Sequence, residues 1–326
     1  MAWPTPEAKY DVVALGEAMV EFNQTQAGQA LYLQGFGGDT SNALIAASRA
    51  GARTAYLSRI GEDWSGQRLQ ELWRSEGINT SGVSVADDAP TGLYFVTHGP
   101  QGHEFGYQRK GSEASRMSPQ WLDSRPGSLI ERARILHVSG ISMAISESAC
   151  ETVFAAMQRA RAGGVRVSLD TNLRLKLWPL ERARQTLARA AALCNYFLPS
   201  LEDALPLAGL TGDARPHDLA DWAHALGAPL VVVKLGADGC LLSLRGQSAA
   251  ERVLVPGHRV AVVDATGAGD CFCGNFLARL AAGDPAAVAA RWANAAAALA
   301  VQGFGAVAPL PPAQAVTRFL AGARSL

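Results

Sequence analysis

The residues best placed to do chemistry lie in "DATGAGDCF", which covers residues 264–272. Gly267, Ala268 and Gly269 form a small turn, and Asp270 follows it at once. Glycines let backbone N–H groups point at one spot, and the start of a helix adds partial positive charge there. Such a turn binds an anion, and a carboxylate beside it can accept a proton from an alcohol. The pattern indicates phosphoryl transfer to a hydroxyl group.

A simpler role for Asp270 is to cap the helix that begins there. The common nucleotide motifs are missing from the sequence. It contains neither the G-x-x-x-x-G-K-[ST] loop nor the H-R-D and D-F-G pair of protein kinases. The glycines of "GFGG" at 35–38 have the wrong spacing for a dinucleotide site.

The composition favours a large packed core. Of the 326 residues, 48% are hydrophobic and 18% are charged, which suits a substantial core and argues against disorder. The 29 basic and 29 acidic residues balance, so neither a nucleic-acid partner nor an anionic membrane surface is indicated. The five cysteines fit no disulfide framework or zinc site and are expected to be buried thiols. No signal-peptide or membrane-span pattern is found, which predicts a cytoplasmic protein.

Buried strands alternate with helices along most of the chain. Strands are predicted at the start of 11–22 and at 53–61, 133–140, 165–172, 196–200 and 230–236. Helices are predicted at 41–52, 65–77, 146–164, 180–192, 216–226 and 286–301. Near-continuous apolar strands are buried on both faces, so the pattern predicts an α/β fold with a mainly parallel sheet between helix layers.

Two stretches, 22–36 and 91–110, break this alternation with short strands and glycine turns. They fit an antiparallel flap at one edge of the main sheet, which we call the lid. No linker or second boundary is found, so residues 1–326 are predicted to form a single domain with the lid inserted. A lid strand with a free edge is a natural pairing surface, which favours a homo-oligomer formed through the lid.

The "DATGAGDCF" stretch resembles the C-terminal signature of the ribokinase-like, or PfkB, carbohydrate kinases. The N-terminal signature of that family is similar to "GGDTSNALIAASRAGARTAYLSRIG" at 37–61. "GEDWSG" at 61–66 and "VKLGADG" at 233–239 also follow in the family's order. The resemblance covers essentially the whole chain. It implies a three-layer α/β/α sandwich with a small β lid, and phosphorylation of a sugar by ATP with Mg²⁺.

The resemblance also implies roles for individual residues. The base would be Asp270, and the anion hole would be residues 267–269. Substrate hydroxyls would be held by Gly38, Asp39 and Asn42. The nucleotide side would comprise Ser200, Lys234, Gly236, Gly239, Gly267, Gly269 and Asn294.

In one place the sequence departs from the family pattern. An N-x-x-E motif after a central strand is often associated with magnesium and phosphate in this family. "PSLEDA" supplies Ser200 and Asp203 there instead, which are chemically milder versions. Many members also bind a monovalent cation such as K⁺ where Asp264 and Thr266 lie, although these two residues suit a simple turn equally well.

Arginines and tyrosines indicate the substrate class. Tyr107 and Arg109 lie two apart on a lid strand, so they share one face. Asp170, Asn172 and Arg174 lie just beyond a buried strand, where open α/β sheets bind ligands. Because arginine matches a carboxylate, two arginines here favour a sugar acid over a neutral sugar. For either arginine alone, a solvated surface role is the alternative.

Within the family, the lid strands and "DTNLRLKLW" resemble the 2-keto-3-deoxygluconate kinases, with Tyr94 near the acid end of the substrate. This resemblance implies transfer from ATP to the 6-hydroxyl, giving 2-keto-3-deoxy-6-phosphogluconate. Glu21 stands where ribokinases and fructokinases usually carry a substrate aspartate, which argues against them. The alternatives are a fructokinase, a ribokinase or a 2-keto-3-deoxygalactonate kinase. The substrate of the last differs from 2-keto-3-deoxygluconate in its configuration at C4. From another class, a catalytically silent sugar-sensing protein would use the same fold.

Overall fold

A computed structural model describes residues 8–24, 26–99 and 102–322 of the chain. Its strands, in chain order, are β1 (Tyr10–Leu15), β2 (Met19–Asn23), β3 (Leu33–Gly37), β4 (Thr54–Gly61), β5 (Asn79–Ala86), β6 (Leu93–Gly99), β7 (Gly102–Gln108), β8 (Ala133–Ser139), β9 (Arg166–Asp170), β10 (Tyr196–Phe197), β11 (Leu230–Lys234), β12 (Gly239–Leu244) and β13 (Val253–Pro256). Its α-helices are α1 (Asp39–Arg49), α2 (Trp64–Ser75), α3 (Pro119–Leu122), α4 (Arg125–Ile130), α5 (Gly140–Ala144), α6 (Glu147–Ala162), α7 (Leu180–Ala191), α8 (Leu201–Ala208), α9 (Pro216–Ala225), α10 (Ala268–Ala281), α11 (Ala286–Ala300) and α12 (Ala313–Gly322).

The central sheet of the described chain has nine strands in the order β13-β12-β11-β10-β9-β8-β1-β4-β5. Neighbours from β11 to β5 run parallel, while β12 and β13 are antiparallel additions at one edge. Val12 and Ala14 of β1 pack on the layer of α1, α2 and α10–α12, and Val13 and Leu15 pack on the layer of α3–α9. Two apolar faces on one strand require helices on both sides. The predicted three-layer α/β/α fold with a mainly parallel sheet is confirmed.

The lid is a separate sheet with the strand order β3-β2-β6-β7. Its pairing corrects the prediction of a wholly antiparallel flap, because β2 and β6 run parallel. The reason is topological: β2 continues from β1 and β6 from β5, and both of those strands point the same way in the central sheet. The lid therefore grows from an interior strand as well as from an edge strand. The chain turns at 16–18, so the second half of 11–22 belongs to the lid.

Helices α1 and α10 cross very closely at the end of the sheet that the lid covers. A Cβ atom on Gly274 would lie 1.9 Å from the carbonyl oxygen of Ala43, so only glycine permits this approach. Helix α10 begins after Gly267, whose φ of 75° lies in the left-handed region. The crossing brings the first turns of both helices together, beside the C-terminal ends of β9 and β11.

Two smaller predictions are also confirmed. All five cysteines are buried and unpaired. The alanine-rich stretch near the C-terminus is the packed helix α11, half of it in the core. Within the described residues, every helix is too short or too polar to cross a membrane.

Candidate active site

A cavity of about 730 Å³ lies between the lid and the C-terminal ends of the central strands. Most of the predicted site residues contribute to its wall, although they come from distant parts of the sequence. They are Gly38, Asp39, Asn42, Tyr94, Tyr107, Arg109, Asp170, Asn172, Arg174, Ser200, Lys234, Gly236, Thr266, Gly267, Ala268, Gly269 and Asp270.

Two residues that are predicted to bind the nucleotide, Gly239 and Asn294, are not part of the cavity wall. Gly239 begins β12, where a Cβ atom would lie 2.1 Å from the carbonyl oxygen of Val255. The amide of Asn294 donates hydrogen bonds to the carbonyl oxygens of Val255 and Pro256, both at 3.1 Å. Both contacts fix β13, so a direct contact of either residue with a nucleotide stays a prediction.

Asp264 is also buried away from the cavity wall. One carboxylate oxygen accepts a hydrogen bond from the backbone N–H of Thr266 and the other from that of Gly305, both at 2.9 Å. These bonds support the turn-forming interpretation, and the monovalent cation stays a prediction. In the described part of the chain, His, Cys, Asp and Glu side chains form no cluster of three or more that suits a metal ion.

Asp270 lies in the first turn of α10 and is only 9% exposed. Its Oδ2 accepts a hydrogen bond from Asn42 Nδ2 at 2.8 Å, and its Oδ1 accepts one from Asn172 Nδ2 at 3.3 Å. Burial, helped by the nearby Asp39 carboxylate, raises the pKa of Asp270 to about 7, although the Asn42 hydrogen bond opposes the shift. A carboxylate with a pKa near neutrality is well suited to act as a general base.

Lys234 lies beside the predicted anion hole. Its Nζ would be 3.5 Å from a Cβ atom on Gly269, and it donates to both oxygens of Asp170 at 2.9 Å. Burial opposes the charge of Lys234, but the Asp170 carboxylate outweighs it and raises the pKa of the amine. The ammonium group is therefore permanently charged and held next to the hole. A contact between Asp170 and the substrate stays a prediction that competes with this ion pair.

Two buried oxygen atoms on α1 have no hydrogen-bond partner among the described residues. They are Asp39 Oδ1 and Asn42 Oδ1. The other oxygen of Asp39 accepts a hydrogen bond from Ser139. Buried polar atoms in native proteins are nearly always paired, so unpaired acceptors in a cavity wall point to a ligand that brings donors. Sugar hydroxyls fit that requirement.

The sequence pattern does not point to Glu17, yet this residue organises one side of the cavity. Its buried carboxylate accepts hydrogen bonds from Arg109, including one from Nε at 2.8 Å, and one from Ser112. The ion pair cancels the charge of Arg109 and fixes its direction. The rule that ligands gather at the carboxyl ends of parallel strands could have found Glu17, since it lies two residues after β1.

Arg174 differs from Arg109 in both exposure and partners. It is exposed at the cavity wall, and its Nη1 donates to the Leu173 carbonyl oxygen at 2.8 Å. No described carboxylate forms an ion pair with Arg174 or with the neighbouring wall residue Lys176. This part of the cavity therefore offers uncompensated positive charge.

The tyrosines form the lid face of the cavity. Tyr94 donates its phenolic hydrogen to the buried carboxylate of Glu21, and burial raises the pKa of both groups. Tyr107 stacks on Tyr94 with ring centroids 5.8 Å apart and is 40% exposed. The Tyr94 hydroxyl is thus engaged inside the protein, while Tyr107 remains available at the cavity.

Comparison with known proteins identifies the family. Residues 9–313 match the model of the pfkB family carbohydrate kinases. The chain belongs to this family. The predicted resemblance is therefore confirmed, and the protein is a carbohydrate kinase.

Individual relatives act on different sugars. The chain is 37% identical to the 2-dehydro-3-deoxygluconokinase of Thermoproteus tenax over 86% of this chain and 85% of the relative. It is 33% identical to fructokinase-2 of Oryza sativa subsp. japonica over 84% of this chain and 80% of the relative. A solved double mutant of the Vibrio cholerae O395 fructokinase, bound to fructose, ADP and a potassium ion, matches with a TM-score of 0.85. That alignment is 28% identical and covers 97% of this chain and 100% of the fructokinase.

Proposed function

We propose that this PfkB kinase transfers the γ-phosphoryl group of ATP to the 6-hydroxyl of 2-keto-3-deoxygluconate, also called 2-dehydro-3-deoxygluconate. The observation that carries the proposal is Arg174, an arginine without a carboxylate partner among the described residues, in the wall of the cavity that contains Asp270. An unpaired guanidinium can form a bidentate, charge-assisted pair with a substrate carboxylate, which is stronger than its hydrogen bonds to the hydroxyls of a neutral sugar. The Thermoproteus tenax relative supports the same substrate class.

Substrate binding uses groups from both the sandwich side and the lid side of the cavity. Arg174 receives the carboxylate, and Arg109 and Tyr107 donate further hydrogen bonds from the lid side. The unpaired oxygens of Asp39 and Asn42 accept hydrogen bonds from sugar hydroxyls. Closure of the lid over the bound sugar would exclude water, which otherwise competes as phosphoryl acceptor.

In the chemical step, Asp270 accepts the proton of the 6-hydroxyl while the hydroxyl oxygen attacks the γ-phosphorus. The bond between that phosphorus and the ADP oxygen breaks, and the electron pair leaves with ADP. Backbone N–H groups of 267–269 and the Lys234 ammonium stabilise the charge on the transferring group. Mg²⁺ would enter with the ATP phosphates and offset their negative charge.

The ATP requirement fits the cavity. The turn of 264–270 leads into the N-terminus of α10, and Lys234 adds a fixed positive charge next to it. We also propose K⁺ as an activator near Asp264 and Thr266, since the related fructokinase was solved with a potassium ion. Stimulation of turnover by K⁺ but not by Li⁺ supports that site, and equal rates in both salts exclude it.

The deciding experiment measures ADP release from MgATP with four sugars: 2-keto-3-deoxygluconate, its galactonate epimer, fructose and ribose. Turnover on the keto acids alone is expected, and the better epimer gives the preferred C4 configuration. Turnover on fructose or ribose alone would contradict the proposed sugar-acid substrate but would still show kinase activity. The Asp270→Asn variant is the control, because contaminating kinases would leave its ADP release unchanged.

Fructokinase activity is the second candidate, favoured by the similarity to the Oryza sativa and Vibrio cholerae enzymes. The two candidates differ in their need for Arg174. A fructose kinase should tolerate Arg174→Ala, whereas a sugar-acid kinase should lose affinity for its substrate.

We further propose that the protein forms a homo-oligomer through the lid. Leu31 and Leu33 at the lid are 78% and 58% exposed, and Trp64 of α2, which stacks near Phe22 of the lid, is 51% exposed. Such side chains favour burial against another copy. Light scattering tests the proposal: a Leu31→Glu, Leu33→Glu variant should have a lower mass than the native protein, and a native monomer would contradict it.

A further inference from the structure

Asp203, in the first turn of α8, accepts two hydrogen bonds from the loop that follows β9. Its Oδ2 accepts a hydrogen bond from Thr171 Oγ1 at 2.9 Å and another from the backbone N–H of Leu173 at 3.1 Å. The two donors lie on either side of Asn172. A single carboxylate oxygen thus fixes the backbone both before and after one residue of the cavity wall.

Asn172 needs such support because its backbone is strained. Among the described residues it is the one non-glycine residue with a positive φ, 34°. Residues other than glycine rarely adopt such a conformation, and it persists where the surroundings enforce it. The two hydrogen bonds to Asp203 provide that enforcement.

The strained residue contacts the proposed base. Asn172 Nδ2 donates to Asp270 Oδ1 at 3.3 Å, and Asn42 Nδ2 holds the other oxygen at 2.8 Å. Two amides thus fix both oxygens of the carboxylate. A relaxed loop would withdraw one of them and leave the carboxylate of Asp270 held by Asn42 alone.

The start of α8 is itself held in place. Ser200 Oγ accepts a hydrogen bond from the backbone N–H of Asp203 at 3.1 Å, as an N-cap residue does. Ser200 and Asp203 are the two residues by which "PSLEDA" departs from the N-x-x-E pattern. The first fixes the helix start, and the second connects that helix to the β9 loop.

We propose that Asp203 is a positioning residue that holds Asn172 in its strained conformation and thereby orients Asp270. The role requires an oxygen that accepts two hydrogen bonds from neutral donors. It does not require the negative charge that a magnesium-associated carboxylate would supply. The proposal rests on Asp270 being the base, as in the proposed function.

Two variants of Asp203 distinguish its role as a hydrogen-bond acceptor from the effect of its negative charge. Asp203→Asn keeps an amide oxygen with two lone pairs but removes the charge, whereas Asp203→Leu removes both at similar size. We expect Asp203→Asn to keep kcat within about 3-fold of the native enzyme. We expect Asp203→Leu to lower kcat by roughly 10–100-fold, because small displacements of catalytic groups have effects of that size. The Mg²⁺ concentration that gives half-maximal rate should not change in either variant.

The pH dependence of kcat provides a further test, because replacing a residue with a purely structural role would not shift the pH profile. The Asn172 amide stabilises the ionised form of Asp270, so its loss raises the pKa of the base. In Asp203→Leu the acidic limb of the profile should therefore shift to higher pH, and in Asp203→Asn it should stay. Glu151→Gln is the matched control, since it removes an exposed charge on α6, outside the cavity wall, and should leave the limb in place.

Calorimetric titration with Mg²⁺ and a non-hydrolysable ATP analogue completes the test without turnover. Equal affinities in the native protein and both variants support positioning. The proposal is overturned if Asp203→Asn loses as much activity as Asp203→Leu while binding the magnesium nucleotide more weakly. It is also overturned if Asp203→Leu keeps full activity and an unshifted limb.

A second variant covers the case in which Asp203→Leu does not fold. Thr171→Val removes one of the two donors and should give a smaller loss of kcat with a shift in the same direction. Failure of the proposed substrate is distinguishable, because the native enzyme would then turn over a different sugar. The variants are compared on whichever sugar reacts, since the inference concerns the base and not the acid end of the substrate.

Discussion

The two walls of the cavity hold their functional groups in different ways. On the sandwich wall, Asp270 is 9% exposed, and its two oxygens accept hydrogen bonds from the amides of Asn42 on α1 and of Asn172 in the loop after β9. On the lid wall, Tyr107 is 40% exposed, and Arg109 depends on one carboxylate, that of Glu17. We infer that phosphoryl transfer, as proposed above, depends on the more buried wall, and that substrate recognition also involves the more exposed one.

This comparison has a kinetic consequence. Changes on the sandwich wall should lower kcat, because they disturb groups that act in the transition state. Changes among the exposed residues should chiefly raise KM, because they remove contacts that are already made in the bound substrate.

The largest effect is expected for Asp270→Asn. Asparagine has nearly the same shape but cannot accept the hydroxyl proton, so kcat should fall by at least about 10²-fold. Nucleotide affinity, measured by calorimetry, should stay close to that of the native protein. A raised KM with an unchanged kcat would mean that Asp270 binds the substrate but does not act in the chemical step. The expected difference between the two walls would then be wrong.

Arg109→Ala should cause the next largest effect, and on stability as well as on binding. It leaves the Glu17 carboxylate buried without its partner, which typically costs about 3–5 kcal/mol of unfolding free energy. Adding Glu17→Gln to the same chain should recover much of that stability but not the KM for the keto acid. Urea denaturation measures the first quantity and initial rates the second. Equal stability of the single and double variants would show that the ion pair does not organise the lid wall.

Arg174→Ala should leave stability unchanged and raise KM. A hydrogen bond to a charged group contributes about 1.5–3 kcal/mol, which corresponds to roughly 10–100-fold in KM for the keto acid. Arg174 is exposed and forms no ion pair with a described carboxylate, so its removal leaves no buried charge without a partner. Fructose, assayed in parallel at high concentration, serves as the neutral control. An equal loss on both sugars would argue against a carboxylate contact.

The sequence predicts the sandwich wall better than the lid wall for a physical reason. The turn of 264–270 is local, so its glycines and the following helix reveal an anion hole without any knowledge of the fold. The partners that tune the site are not local. Arg109 and Glu17 are 92 residues apart in the chain, and Lys234 and Asp170 are 64 apart. Hydrophobic periodicity finds strands and helices but does not say which side chains meet.

The same distinction applies to the elements. Long apolar strands such as β8 and β11 are predicted close to their observed positions, because burial on both faces leaves a strong pattern. Strand β5 has a mixed burial pattern and no continuous apolar run, whereas β13 is apolar but only four residues long and mostly exposed. The parallel pairing of β2 with β6 depends on where β1 and β5 end, which no local pattern encodes.

A pH-dependent gain in stability is also expected for Asp270→Asn. Burial raises the pKa of Asp270 in the folded protein from an ordinary 3.8 to about 7, so the folded state binds the proton more tightly than the unfolded chain. The associated stability is fully present below pH 3.8 and is lost as the pH rises through 7. Asparagine cannot ionise and avoids this loss.

The melting temperatures of the native protein and Asp270→Asn should therefore coincide near pH 3.8 and diverge up to pH 7, with a constant difference above it. A difference of about 2–4 °C per kcal/mol is expected for a domain of this size. Asp88→Asn, which alters an exposed carboxylate in a turn, is the matched control and should show no such divergence. A gap that is equally large at pH 4 and pH 8 would mean that the base is not destabilised by burial. Asp270 would then have the same pKa in the folded and unfolded states, and the sandwich wall would hold its carboxylate without a pH-dependent cost in stability.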